Sequence, residues 1–340
     1  MIKLSIILPV YQVEIYIRPC MESIFRQGLD DECFELIIVN DGTKDRSMEV
    51  IEDIISQHAN ITVINQENQG LSVARNNGIA VAKGEYILMP DSDDLLIDYS
   101  LKPLLDKAIE TQADMIIADF LTMTDEEISR IQDIPQKDFN IREKTGRQLF
   151  VEDLNPHECF VWRTLYRKVF LTKANISFYP GIRYQDVPFT HECYIKANKC
   201  LRISWLLNIY RKWPGASTAS FSLNHAKDFC MATVLTWRLQ QFNLTSTEVL
   251  KLREDVWTSF SETMRLTCHQ IKSSSERMMV IDYIREQAPD LNFHHGIMQQ
   301  LVTFLYRNMP HTFIRLRYLY ANIIEDRVLP FYYHIIRKIR

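Results

Sequence analysis

Three carboxylates stand within four residues in Asp91-Ser92-Asp93-Asp94, and no Lys or Arg lies between Gly84 and Lys102. Carboxylates this close repel one another unless protons or a cation offset them. A divalent ion is the natural counter-charge, because Mg²⁺ or Mn²⁺ is held by one or two protein carboxylates and completes its shell with phosphate oxygens. A structural reading competes: aspartates also cap a following helix and favour its positive end. On this segment alone the two weigh equally. Asn40-Asp41-Gly42-Thr43 with Asp45 reads by itself as a turn, Asp45 serving as N-cap of a helix that ends near Gln57. In Asn68-Gln69-Gly70-Leu71-Ser72-Val73-Ala74-Arg75, Gly70 precedes a helix and Arg75 lies about one turn inside it. That segment is either a glycine-marked loop with an exposed arginine, or a helix start and guanidinium facing a diphosphate.

The elements that must position these groups alternate in the α/β manner. Strands are predicted at Leu4 to Pro9, Leu36 to Asn40, Thr62 to Asn65, Tyr86 to Met89 and Met115 to Ala118. Helices are predicted near Ile15 to Arg26, Asp45 to Gln57, Leu71 to Ala82 and Leu101 to Thr111. Runs such as Leu36-Ile37-Ile38-Val39 are apolar on both faces and suit a covered parallel sheet. Ligands bind beyond the carboxyl ends of such strands. Pro9-Val10-Tyr11, Asn40-Asp41-Gly42, Asn65-Gln66-Glu67 and the Asp91 cluster all stand there. Residues 121 to 155 are polar and turn-rich, 156 to 220 are aromatic-rich, and helical periodicity with hardly any glycine dominates from about 224.

Composition bounds the rest. The 340 residues allow one large core and a smaller second one. A net charge of -4 gives no global basic field, so nucleic acid is not the expected partner. Seven scattered cysteines without a C-x-x-C pair point to neither zinc nor a disulfide framework, and a reducing cytoplasm fits them. Met1-Ile2-Lys3 enters a strand-like run at once, so no signal peptide is expected, and no apolar run reaches bilayer-spanning length.

Taken in order, Pro9-Val10-Tyr11, Asn40-Asp41-Gly42-Thr43-x-Asp45, Asn68-x-Gly70-x-Ser72-x-Ala74-Arg75-Asn76-x-Gly78 and Asp91-Ser92-Asp93-Asp94 closely resemble family 2 glycosyltransferases of the GT-A fold. The resemblance covers roughly residues 1 to 120. It implies a Rossmann-like, mostly parallel sheet flanked by helices, with a helical C-terminal region. The corresponding parts are a nucleotide-sugar-binding half at 1–120, an acceptor-side half at 121–220 and the helical region at 221–340. Pro9, Tyr11, Glu14 and Asp41 would hold the nucleoside and Arg75 the diphosphate. Asp91 would approach the ribose or a metal-bound water. Asp93 would bind Mn²⁺ or Mg²⁺, with Asp91 as a second ligand; Asp94 and Gly70 are further site candidates without an assigned role.

Val161 to Arg167 and Ile182 to Phe189 look like the family's acceptor-side segments, though less tightly. Members usually carry a Glu-Asp pair there whose aspartate is the base, whereas this chain has Gln185-Asp186. Asp186 is thus the expected catalytic base, its structural alternative being an N-cap ahead of a helix from Phe189 to Ala197 with Pro188 in the first turn. Trp213 would line the acceptor cleft or fill a core. The implied activity is inverting transfer of a sugar from a nucleotide-diphosphate donor to a glycan or lipid-linked saccharide, in surface polysaccharide synthesis.

Two rivals stand beside it. A nicotinamide dehydrogenase fails because Pro9 to Glu14 lacks the glycines that admit a pyrophosphate. A catalytically silent carbohydrate-binding or scaffold protein draws support from Gln185. Finally, Phe313 to Arg340 holds six basic residues against Glu325 and Asp326. It reads either as a peripheral contact with the anionic inner membrane face or as a last helix with a solvated basic face.

Overall fold

Seven successive buried residues form β1 (Leu4–Val10), as a strand covered on both faces requires. In the computed structural model, which describes residues 2–131, 133–213, 221–293 and 296–322, β1 pairs in parallel with β2 (Phe34–Asn40) and β4 (Tyr86–Leu88). β3 (Ile61–Asn65) extends the sheet beyond β2. The other strands are β5 (Leu95–Leu96), β6 (Met115–Thr124), β7 (Ile141–Lys144), β8 (Thr164–Arg167) and β9 (Cys200–Lys212). Their order is β3-β2-β1-β4-β8-β6-β9-β5, with β7 on β9. β8 runs antiparallel to both β4 and β6, and β9 runs parallel to β6.

The direction of winding reverses between β1 and β4, and ligand crevices open at the carboxyl ends of strands at such a point. Here the β1–β4 ladder stops at Ile6 opposite Leu88, while β1 continues to Val10 paired only with β2. Pro9, which has no N–H to donate, falls in that half-paired stretch.

This sheet belongs to the first of two compact units, residues 1–181 with 189–216. Its helices are α1 (Ile17–Phe25), α2 (Glu52–Gln57), α3 (Leu71–Val81), α4 (Leu101–Thr111), α5 (Asp125–Arg130), α6 (Gly146–Glu152), α7 (Lys168–Lys173) and most of α8 (Asp186–Lys196). α1 buries Ile17, Cys20, Met21 and Ile24, one stripe at helical spacing, in the core cluster that also holds Leu4, Ile6 and Leu8 of β1. Residues 1–120 and 121–181 share this unit and its sheet, and β6 runs to Thr124, beyond the expected end at Ala118.

The second unit comprises 182–188 and 217–340, so the division falls inside α8 between Pro188 and Phe189. It contains α9 (Leu223–Arg238), α10 (Ser246–Gln270), α11 (Ser274–Gln287), α12 (Ile297–Asn308) and α13 (Pro310–Leu319). Capping boxes at Ser222/His225 and Thr245/Glu248 fix the starts of α9 and α10. Trp237, Val256, Phe260, Ile281, Phe293 and Tyr306 lie in its core. Phe313 and Ile314 at the start of the basic tail also pack there, while residues 323–340 of that tail lie outside the described residues. Among the described residues no helix is long and apolar enough to cross a membrane.

Candidate functional site

The loops after β1 and β2 are knitted together before any ligand enters. Gln12, Val13 and Glu14 donate their backbone N–H groups to Thr43 Oγ1, Ser47 Oγ and Asp45 Oδ2 at 2.8, 3.0 and 3.0 Å. Asp45 also accepts from Thr43 Oγ1 and from the backbone and hydroxyl of Ser47. Asp45 therefore does not cap the helix ending at Gln57. Met48 precedes the short 3₁₀ turn Glu49–Ile51 that leads into α2, and the long-range tie to β1 has taken the carboxylate. Burial alone would raise its pKa, but the hydrogen bonds from Ser47, Thr43 and Glu14 hold it below the ordinary aspartate value.

Such a group stabilises the fold above its unfolded pKa, and the contribution fades as pH falls through the lower folded one. Asp45→Asn should lower the Tm at neutral pH, and the gap to wild type should close below about pH 4. Thermal melts from pH 3 to 8 check this, and a gap independent of pH would dismiss the carboxylate tie.

Asp41 is 3% exposed and holds the next loop: Oδ1 accepts from Gln66 Nε2 and Gln69 N, and Oδ2 from Gly70 N at 2.9 Å. Gly70 itself has a φ of +86°, left-handed backbone that a side chain would strain, and it leads directly into α3. Tyr11 is 42% exposed at the carboxyl end of β1, and Gln12 beside it has a φ of +54°. Glu14 accepts from Arg46 N, which turns its carboxylate toward the β2 loop.

Arg75 is buried rather than exposed, with Nη2 at 2.5 Å from Asp91 Oδ1 and its guanidinium 5.3 Å from the Phe178 ring. The expected phosphate-facing arginine is committed in this structure to orienting Asp91. Asp93 Oδ2 accepts from Trp213 Nε1 at 2.9 Å, and Arg211 Nε donates to the Asp93 carbonyl at 2.8 Å. Asp94 is 2% exposed: one oxygen accepts from Arg211 N, and the other is buried without a hydrogen-bond partner. Burial, then the neighbouring Asp93 and Asp91, push the Asp94 carboxyl well above its usual range.

Arg211 ties this corner together. It pairs with Asp125 and lies 4.8 Å from the Tyr16 ring, which packs 4.9 Å from the ring of Trp213. Neither Arg211 nor Asp125 stood out in the sequence. The only signal was two charges at the ends of what prove to be β9 and β6. Within the aromatic-rich segment from 156 to 220, Tyr210 stacks near Trp162 and Phe160, and Trp213, expected to line the acceptor cleft or fill a core, donates to Asp93. Residues 214–217 of that segment lie outside the described residues.

A hard divalent ion suits this donor set in a half-open form. Asp93 keeps one carboxylate oxygen beyond its bond to Trp213, and the Asp94 oxygen without a hydrogen-bond partner belongs to the next residue. Among the described residues no three His, Cys, Asp or Glu side chains converge as a cage. Most of an ion's shell would therefore come from phosphate and water oxygens, as Mg²⁺ accepts.

Asp186 is the first residue of α8, not its cap, and lies in the second unit. Its Oδ1 accepts from Val187 N at 3.1 Å. Tyr184, two residues before, has a φ of +58°, a conformation held only where surrounding structure enforces it. Gln185 is 5% exposed and its Oε1 has no hydrogen-bond partner.

A cleft of about 440 Å³ lined by Asp119, Lys137, Arg142, Arg163 and Arg202 shares none of these residues. Each cation there faces a carboxylate, Lys137 and Arg202 meeting Asp119, Arg142 meeting Asp153 and Arg163 meeting Glu158. The charges cancel locally, so this cleft offers no field for an anion.

Residues 5–172 match the family described as Glycosyl transferase family 2. These residues belong to that family. The glycosyltransferase resemblance drawn from the motifs thus holds over β1 to α7. One relative, the uncharacterized glycosyltransferase EpsJ of Bacillus subtilis, is 37% identical over 219 residues, which is 63% of this chain and 62% of the relative. Glycosyltransferase GlyG of Streptococcus pneumoniae is 26% identical over 80% of this chain and 92% of its own length. The alignments span 62%, 18% and 56% of three curated relatives, EpsJ, GlyA and YibD. Among solved structures, S. aureus TarS 1–349 in complex with UDP-GlcNAc superposes with a TM-score of 0.71 at 19% identity, over 94% of this chain and 92% of that one. At that identity the likeness speaks for the fold, which is GT-A-like: a mostly parallel sheet flanked by helices, with a helical C-terminal part.

Proposed function

We propose that this chain is an inverting glycosyltransferase that moves a sugar from a nucleotide-diphosphate donor to a saccharide or lipid-linked saccharide acceptor. The observation that carries the reading is the placement of Asp91 and Asp93 at the β1–β4 crevice of a family 2 domain, their carboxylates oriented by Arg75 and Trp213. Tyr11 offers an exposed ring to the nucleobase, with Pro9, Glu14 and the Asp41-held loop completing the nucleoside side. The UDP-GlcNAc bound to TarS favours a uridine diphosphate sugar as donor. Asp93 and Asp91 would hold Mn²⁺ or Mg²⁺, which supplies positive charge against the departing diphosphate.

Asp186 takes the proton of the acceptor hydroxyl as that oxygen bonds to the anomeric carbon and the bond to the diphosphate breaks on the opposite side. No covalent intermediate is required. Such donors and the scattered cysteines favour a cytoplasmic reaction, with peripheral contact at the inner membrane face.

One observation favours a second reading, a silent saccharide-binding protein: Gln185 places a neutral amide where the family usually has an acid. Incubation with UDP-sugars and Mn²⁺ separates the two. Slow donor hydrolysis or transfer, abolished by EDTA, is the expected result. Saccharide binding without any donor turnover would establish the silent reading.

A further inference from the structure

Helix α12 is apolar on two sides, Val302, Leu305 and Tyr306 packing on the core and a second apolar stripe facing outward. Thr303 and Tyr306 are its buried residues, whereas Ile297, Met298, Leu301 and Phe304 are 89%, 66%, 49% and 54% exposed. Ile297, Leu301 and Phe304 follow at i, i+4 and i+7 and so line one stripe. α13 adds exposed Leu316 and Leu319, with Met309 before it and Tyr320 after it, while Phe313 and Ile314 face the core of the unit. Eight exposed large hydrophobics thus fall within residues 296–322, against eleven over all the other described residues.

The same stretch contains no Asp or Glu, and it carries Arg307, His311, Arg315 and Arg317 in a chain of net charge -4. Water alone rewards neither feature, since an exposed apolar stripe is normally covered and acids normally balance surface arginines. A second copy of the chain is a poor cover. A two-fold contact would set Arg315 against its own image, and residues 296–322 contain no acid to neutralise it. An anionic bilayer meets both requirements at once, taking Leu and Phe into the acyl boundary and arginines into the headgroup layer.

We propose that α12 and α13 seat this unit on a negatively charged phospholipid surface. The inference is independent of the transferase reading, because the donor-site candidates from Pro9 to Trp213 belong to the other unit. It also extends the membrane contact expected of the tail from Phe313 onward back to α12, which precedes it.

The test is flotation of the full chain with phosphatidylcholine vesicles, with and without phosphatidylglycerol. The chain should float only with the anionic vesicles, and less so at high salt. Leu301→Asp/Phe304→Asp should weaken partitioning by more than about tenfold, the worth of one large apolar side chain, with the Tm unchanged because both residues are exposed. Arg315→Gln/Arg317→Gln should weaken it by about fivefold per charge. Leu301→Ser/Phe304→Ser serves as the milder pair if the aspartates impair folding. Equal flotation of wild type and both double variants would overturn the proposal. So would absence of flotation together with a concentration-dependent dimer that the double variants abolish, which would assign the face to a second copy.

Discussion

Asp186→Asn should lower kcat by about a hundred- to ten-thousand-fold, the usual contribution of a general base. The donor contacts proposed above come from Pro9 to Trp213, so donor and metal affinities should stay within a fewfold of wild type. The helix start should survive as well, because the asparagine carbonyl can still accept from Val187 N as Asp186 Oδ1 does. Single-turnover rates on a verified donor and acceptor, with calorimetry of UDP and Mn²⁺ alongside, read both quantities. A variant with near-normal transfer would place the base elsewhere and dissolve the alignment of residues 182 to 189. Gln185→Glu sharpens the test, since a second carboxylate beside Asp186 should disfavour its ionised form and move the acid limb of the rate profile to higher pH.

The second large effect belongs to Asp93. Asp93→Ala should weaken metal-dependent donor binding by more than about a hundredfold, beyond what loss of a residue that merely orients a ligand costs. The fold should persist, because the residue's backbone carbonyl, which accepts from Arg211, is kept and its side chain meets only the indole edge of Trp213. Trp213→Phe supplies the contrast. It keeps an aromatic ring near Tyr16 and removes the donor that occupies one Asp93 oxygen, so Mn²⁺ should bind at least as tightly as to wild type. Titrating Mn²⁺ with UDP into the three proteins decides the assignment. Unchanged affinity in Asp93→Ala would remove Asp93 from the metal site.

Much of the first unit was legible because its signals are local. β1 and β2 are continuous apolar runs, α1 carries its stripe at 3.6-residue spacing, and Gly70 marks the start of α3. β9 was missed although it is 13 residues long, since Arg202, Trp205 and Arg211 interrupt its apolar pattern. Those polar groups are satisfied by distant partners: Arg202 pairs with Asp119, and Trp205 Nε1 donates to the Ser100 carbonyl. Asp45 was misread for the same reason. An aspartate a few residues before a helical pattern has a good local use as a cap, and only the folded chain brings the β1 loop close enough to claim it.

The sequence by itself determined the order of motifs along the sheet edge, the two-sided strands that place them there, and the family to which those motifs belong. Each of these depends on residues within a few positions of one another. The tertiary structure alone decided what each polar group holds. Arg75 meets Asp91 across 16 residues, Asp41 meets Gly70 across 29 and Trp213 meets Asp93 across 120. Hydrogen bonds and ion pairs act over a few ångströms of space whatever the distance along the chain, so a one-dimensional pattern offers candidates for both ends and fixes neither pairing.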